Sequence, residues 1–131
     1  MDKKAAKAAY KASVSPMGIF QIRNLVNNKV FIGSSVDLRA IFNRTRFQLC
    51  GGVHPIKEFC SDWRRFGTTK FEFEVLEELT QDLADHDYTA DLEALEDLWL
   101  EKLLPYGDRG YNDPKRTREE RLRLITANKN A

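Results

Sequence analysis

The chain has 131 residues, 42% of them hydrophobic and 31% charged, and carries a formal net charge of +1. That is the size of one self-sufficient domain with an ordinary soluble globular composition. No run approaches the roughly 18 apolar residues of a membrane span, and the charged segment Asp2–Lys7 has no apolar stretch behind it, so the sequence predicts no membrane partner, no secretory leader and a cytoplasmic location.

Residues 3–13 are rich in Ala and Lys and predict a helix with little apolar face beyond Tyr10, broken at Ser15-Pro16. Phe20 and Ile22 alternate with Gln21 and Arg23, a strand period. Asn27 and Asn28 tolerate positive φ and suit a turn. Val30, Phe31 and Ile32 supply a second strand, so 18–34 reads as a hairpin. Ser35 or Asp37 is placed to cap the helix that follows, on which Leu38, Ile41, Phe42, Thr45 and Leu49 form a buried stripe. Gly51-Gly52 end it. A second helix follows His54-Pro55 with Ile56, Phe59, Cys60, Trp63 and Phe66 inward, and Gly67 stops it.

Phe71, Phe73, Val75 and Leu76 form a third strand, with Glu72 and Glu74 on its other side. Thr80–Tyr88 is polar and reads as a loop. A helix over 89–104 carries Leu92, Leu95, Leu98, Trp99 and Leu103, and Pro105 closes it. Gly110-Tyr111-Asn112 is a short extended segment. Asp113-Pro114 then offers a cap and a first-turn proline for a last helix. The fold class is α+β, a small three-stranded antiparallel sheet flanked by helices.

Charge is unevenly spread. Arg39, Arg44, Arg46, Lys57, Arg64, Arg65 and Lys70 are opposed only by Glu58 and Asp62, whereas no Lys or Arg occurs from Phe71 to Glu101. Such polarity offers one face to a polyphosphate, although ordinary solvated helix faces give the same pattern. Cys50 and Cys60 are spaced for neither a CxxC site nor a paired framework and read as reduced, small apolar residues.

Gly18-Ile19-Phe20, Phe31-Ile32-Gly33-Ser34-Ser35, the helix after Asp37-Leu38, His54, the block from Trp63 to Glu77, Glu96 and Gly110-Tyr111-Asn112 follow one another at characteristic spacing. In this order they resemble the GIY-YIG nuclease family across 18–112. The resemblance divides the chain into an N-terminal helical arm (1–16), a GIY-YIG-like nuclease domain (17–112) and a basic C-terminal helix or tail (113–131). It implies phosphodiester cleavage with one divalent cation, Mg2+ or Mn2+. It also implies a tyrosine hydroxyl that activates water, a helix arginine that neutralises phosphate, a metal-holding glutamate and a closing asparagine near the same site.

Carried over position by position, Glu96 and Asn112 survive, and His54 stands where the family often places a histidine. Glu96 falls beside the stripe of Leu92, Trp99 and Leu103, where a carboxylate can hold a hard cation through one oxygen. Both tyrosine positions are phenylalanine, Phe20 and Phe31, rings without a hydroxyl to move a proton. Counting from Gly33, the arginine position falls on Ile41; Arg44 or Arg39 would have to replace it. Ser34 and Ser35 suit either a phosphate cradle or a helix cap.

These swaps predict a domain that engages a nucleic-acid backbone, DNA first, through Arg39, Arg44, Arg46, Lys57, Arg64 and Arg65, with cleavage weakened or lost. An active metal-dependent endonuclease with a rearranged site is the alternative. A protein-interaction module built on the acidic helix and basic tail is a third. With no separate DNA-reading domain in the sequence, targeting would fall to a protein partner.

Overall fold

The computed structural model describes residues 15–81 and 85–114. Most of the predicted N-terminal arm and C-terminal tail therefore lies outside the described residues. Strands β1 (Met17–Asn24), β2 (Val30–Ser35) and β3 (Phe71–Leu79) form one antiparallel sheet in the order β2-β1-β3. Helices α1 (Leu38–Cys50) and α2 (Lys57–Phe66) lie between β2 and β3 in sequence, and α3 (Thr89–Leu103) follows β3. Among the described residues the element order is the predicted one.

Central β1 is buried on both faces, and each face has its own core. Phe20 and Ile22 pack with Leu38, Leu49, Phe59, Trp63, Phe71 and Tyr111, mostly from α1 and α2. Ile19 and Ile32 pack on the other side with Leu100, flanked by Leu95, Trp99 and Leu103 of α3. The alternation along β1 thus feeds two helical layers. Fully buried Phe59 stacks on Tyr111 with centroids 4.7 Å apart, a contact at the centre of the larger core.

The hairpin turns where the asparagines predicted, with Asn28 at φ 62°. Asn24 is wholly buried and hydrogen-bonded at both ends of its amide. Its Oδ1 accepts from Val26 N (2.9 Å) and its Nδ2 donates to the Tyr111 hydroxyl (2.9 Å), which in turn donates to Asp62 (2.6 Å). Burial holds the Tyr111 phenol above its ordinary range, so it stays protonated as the donor this chain of bonds needs.

Asp37 is the residue that caps α1, accepting from Ala40 N at 3.0 Å; a bond from the Ser15 hydroxyl is the main reason its carboxyl lies below the usual range. Ser35 Oγ serves the same turn, accepting from Asp37 N and donating to Asp37 O, both at 3.0 Å. Of the two cap candidates, Asp37 is therefore the cap, and Ser35 braces the backbone of that residue.

Three apolar expectations are corrected. Val75 is 43% exposed because β3 is an edge strand with one side open. The β1–β3 register shifts between Ile19 and Phe20, a bulge that lets consecutive residues Leu76 and Glu77 both meet α3. Leu98 is 63% exposed, and Leu100 takes the core position instead. Cys50 is exposed rather than packed, and Cys60 is half-buried; both are free thiols. Among the described residues, no helix is long and apolar enough to cross a membrane.

Candidate active-site cleft

Outer strand β2 sits where the two helical layers meet, and a cleft of about 440 Å³ opens along it. Its walls bring together Phe20, Phe31, Ile41, His54, Glu96 and Asn112, residues spread over more than half the chain. Arg44, Thr45 and Gln48 of α1 complete the wall on that side. The positions at which the sequence suggested catalytic machinery, Arg39 apart, line one space.

The floor is aromatic. Phe20 lies 6.1 Å from Phe31 and meets Phe42 edge-on at 5.5 Å. Its ring lies against the backbone of Gly33, where a Cβ would stand 2.7 Å from Phe20 Cζ. A Cβ at Gly18 would stand 2.0 Å from Glu77 O across the β1–β3 pair. Both motif glycines are thus set by close approach rather than by turn conformation.

His54 is half-buried between the rings of Phe31 (5.6 Å) and Phe59 (5.2 Å), both met edge-on. Burial lowers its pKa below the ordinary histidine value, favouring the neutral ring. Its Nδ1 accepts from Ile56 N at 3.1 Å, so the hydrogen-bond pattern assigns the proton to Nε2. In this state His54 offers the cleft a hydrogen-bond donor and not a proton acceptor.

Asn112 reaches the cleft but its amide is committed. Oδ1 accepts from Ile32 N (2.9 Å) and Nδ2 donates to Ile32 O (2.8 Å), while Tyr111 N donates to Val30 O (2.9 Å). The closing motif thus acts as a short extra strand on the open edge of β2. Sequence reasoning set Asn112 near the site but not in this role; a polar residue ending an extended tripeptide gives no sign of what it pairs with.

Arg44 of the two replacement candidates lines the cleft, and Arg39 does not. A second hollow adjoins the first through His54, which lines both; Lys57, Cys60, Ser61 and Arg64 of α2 and Gly52 complete it. The two acids of the basic stretch are turned away from this surface. Glu58 pairs with Lys29, and Asp62 accepts from Tyr111 and, at 3.4 Å, from Asn27. Arg46 lies over the Phe73 ring (4.2 Å) and Arg65 over the Phe66 ring (5.2 Å), both outside the cleft walls.

Among the described residues lining the cleft, Glu96 is the one carboxylate. It also borders a further hollow with Ser34, Ser35, Thr89 and Glu93. Among the described residues no three His, Cys, Asp or Glu gather as a metal cage. A single carboxylate beside an open space still fits a hard cation that keeps most of its water.

Fold and cleft together define the class: the chain has an α+β fold that matches the catalytic domain of a GIY-YIG endonuclease. Solved structures similar to it include the catalytic domain of homing endonuclease I-TevI, with TM-score 0.63 and 28% identity, covering 76% of this chain and 99% of that one. A mutant of the catalytic domain of intron endonuclease I-TevI matches with TM-score 0.64 and 29% identity, covering 78% and 97%. Scans against protein-family models and curated proteins give no match.

Proposed function

We propose that this domain holds a nucleic-acid backbone, DNA first, in the β2 cleft and cuts it weakly or not at all. The observation that supports this most directly is the lining of the cleft. Phe20, Phe31 and Ile41 occupy the places where the family resemblance implies two hydroxyls and a guanidinium. Neither ring can relay a proton, which costs about 10²–10⁴-fold where a general base is lost. His54 does not replace them, because its free nitrogen carries a proton in the neutral ring.

What remains suits binding. Arg44 in the cleft, with Lys57 and Arg64 in the adjoining hollow, offers cations to successive phosphates, and His54 Nε2–H donates between them. GIY-YIG nucleases are typically metal-dependent. Here Glu96 would hold Mg2+ or Mn2+ with water completing the shell, and the ion would add charge against a phosphate oxygen.

Purified protein incubated with supercoiled plasmid and Mg2+ or Mn2+ tests the reading. Wild type should nick no faster than Glu96→Ala. The triple variant Phe20→Tyr/Phe31→Tyr/Ile41→Arg should gain at least about 10²-fold over wild type, and adding Glu96→Ala should abolish the gain. Rapid nicking by wild type that depends on Glu96 and Arg44 would favour the second reading, an active endonuclease in which Arg44 has taken over the phosphate. Arg44 lining the cleft is the observation that keeps that reading in play.

A further inference from the structure

The outward pole of α1 carries a large apolar side chain that the fold does not use. Phe47 is 77% exposed, the most exposed of the large hydrophobic residues described. Leu38, Thr45 and Leu49 define the buried face of the same helix, and Phe47 falls on the side away from them. Val53, 65% exposed, joins it where the chain leaves the helix. A Cβ on Gly51 would touch both the Phe47 carbonyl oxygen (3.3 Å) and Val53 Cγ2 (3.8 Å), and Val53 N donates to Gln48 O (2.9 Å).

Phe47 and Val53 form an apolar lip whose sequence neighbours line the two hollows. Gln48, next to Phe47, lines the cleft, and His54, next to Val53, lines both spaces. Arg44 lies one turn before Phe47 on the helix surface. Arg64 Nη2 reaches within 3.3 Å of where a Gly52 Cβ would be, so a second guanidinium borders the lip. The helix itself carries three arginines and no acid.

An exposed aromatic on a helix that carries three arginines and no acid, one turn from a cleft-lining arginine, fits a partner that presents negative charge and a flat apolar face together. An unpaired nucleobase does so. We propose that Phe47 is a stacking platform for an unpaired base, with Arg44 and Arg64 holding the flanking phosphates, so that the domain prefers single-stranded or branched nucleic acid to plain duplex. The proposal rests on the nucleic-acid reading above and deepens it by naming the class of target. Bases in a duplex are stacked on each other and give Phe47 nothing to cover, whereas an unpaired base exposes its face to an aromatic ring.

Fluorescence anisotropy with a labelled single-stranded oligonucleotide and a blunt duplex of the same sequence tests it on the full chain. Phe47→Ala should weaken single-strand binding about tenfold, leave duplex binding within about twofold, and leave the salt slope unchanged. Phe47→Trp should retain single-strand affinity. Equal effects of Phe47→Ala on both probes, or no effect on either, would overturn the proposal while steep, salt-sensitive duplex binding left the backbone-binding reading intact. Binding of neither probe by wild type would overturn both. Concentration-dependent self-association that Phe47→Ala abolishes without changing nucleic-acid affinity would assign the lip to a second copy of this chain and overturn the base-stacking role.

Discussion

His54 shows how one side chain's surroundings fix its chemistry. Packed between two phenylalanine rings and bonded at Nδ1 to a backbone amide, it is held neutral in the folded chain. In the unfolded chain its pKa returns to about 6.5. Between the depressed folded value and about 6.5 the unfolded chain therefore binds more protons, and stability rises with pH across that window. Above it both states are neutral and the dependence from this residue ends. Urea unfolding at pH 7.5 and pH 5.0 should show a midpoint that falls on acidification, and His54→Gln should remove part of that fall. An identical pH response in the variant would mean that His54 is not protected. The same residue scale explains what was legible at the outset. Phe20, Phe31, Glu96 and His54 belong to motifs whose spacing survives, so their meeting in one cleft could be expected. Which arginine would reach it could not, because Arg39 and Arg44 differ only in how α1 sits on the sheet.

At the scale of elements, the segment from Pro105 to Asn112 does the work of a strand with almost no strand length. Its backbone meets β2 at Val30, and the Asn112 amide makes the next pair of bonds with Ile32. Truncating that amide leaves partly buried backbone groups without partners, a loss of about 1–3 kcal/mol. Asn112→Ala should lower unfolding stability by that amount and should speed hydrogen exchange at the Ile32 amide more than at the Ile22 amide on central β1. Uniformly faster exchange would show global destabilisation instead of an opened edge. The element order was readable from periodicity and turn residues, but the misplacement of Leu98 has a physical cause. Leu98 follows Leu95 on the far side of the stripe from Leu92 and Leu103, so its helical angle carries it out of the core whatever its apolarity. The β1–β3 bulge escaped notice because an inserted residue changes strand phase without changing composition.

For the whole molecule, distribution of charge matters and its total does not. The net charge is +1, yet the acids nearest the basic surface are consumed by Lys29, Tyr111 and Asn27 on another side of α2. If Arg44, Lys57 and Arg64 each neutralise one phosphate, log Kobs for duplex DNA should fall against log salt with a slope of about −3. Arg64→Gln should reduce that slope by about one. A flat dependence would remove the backbone from the account of binding. The three-stranded sheet and its helical layers were legible from the sequence; this segregation was legible only in part, because the sequence shows which charges are present and not which are already spent.

The bond between Ile32 and Asn112 spans 80 positions. Proteins emerge from the ribosome N-terminus first, so the hairpin exists long before the residue that seals its rim has been made. A nascent chain carrying β1, β2 and α1 already holds the arginines and Phe47 of that helix, but its cleft has no finished wall. Any ligand met at that moment would find charge without shape, and a shaped cleft would exist only once Asn112 closes the edge of β2.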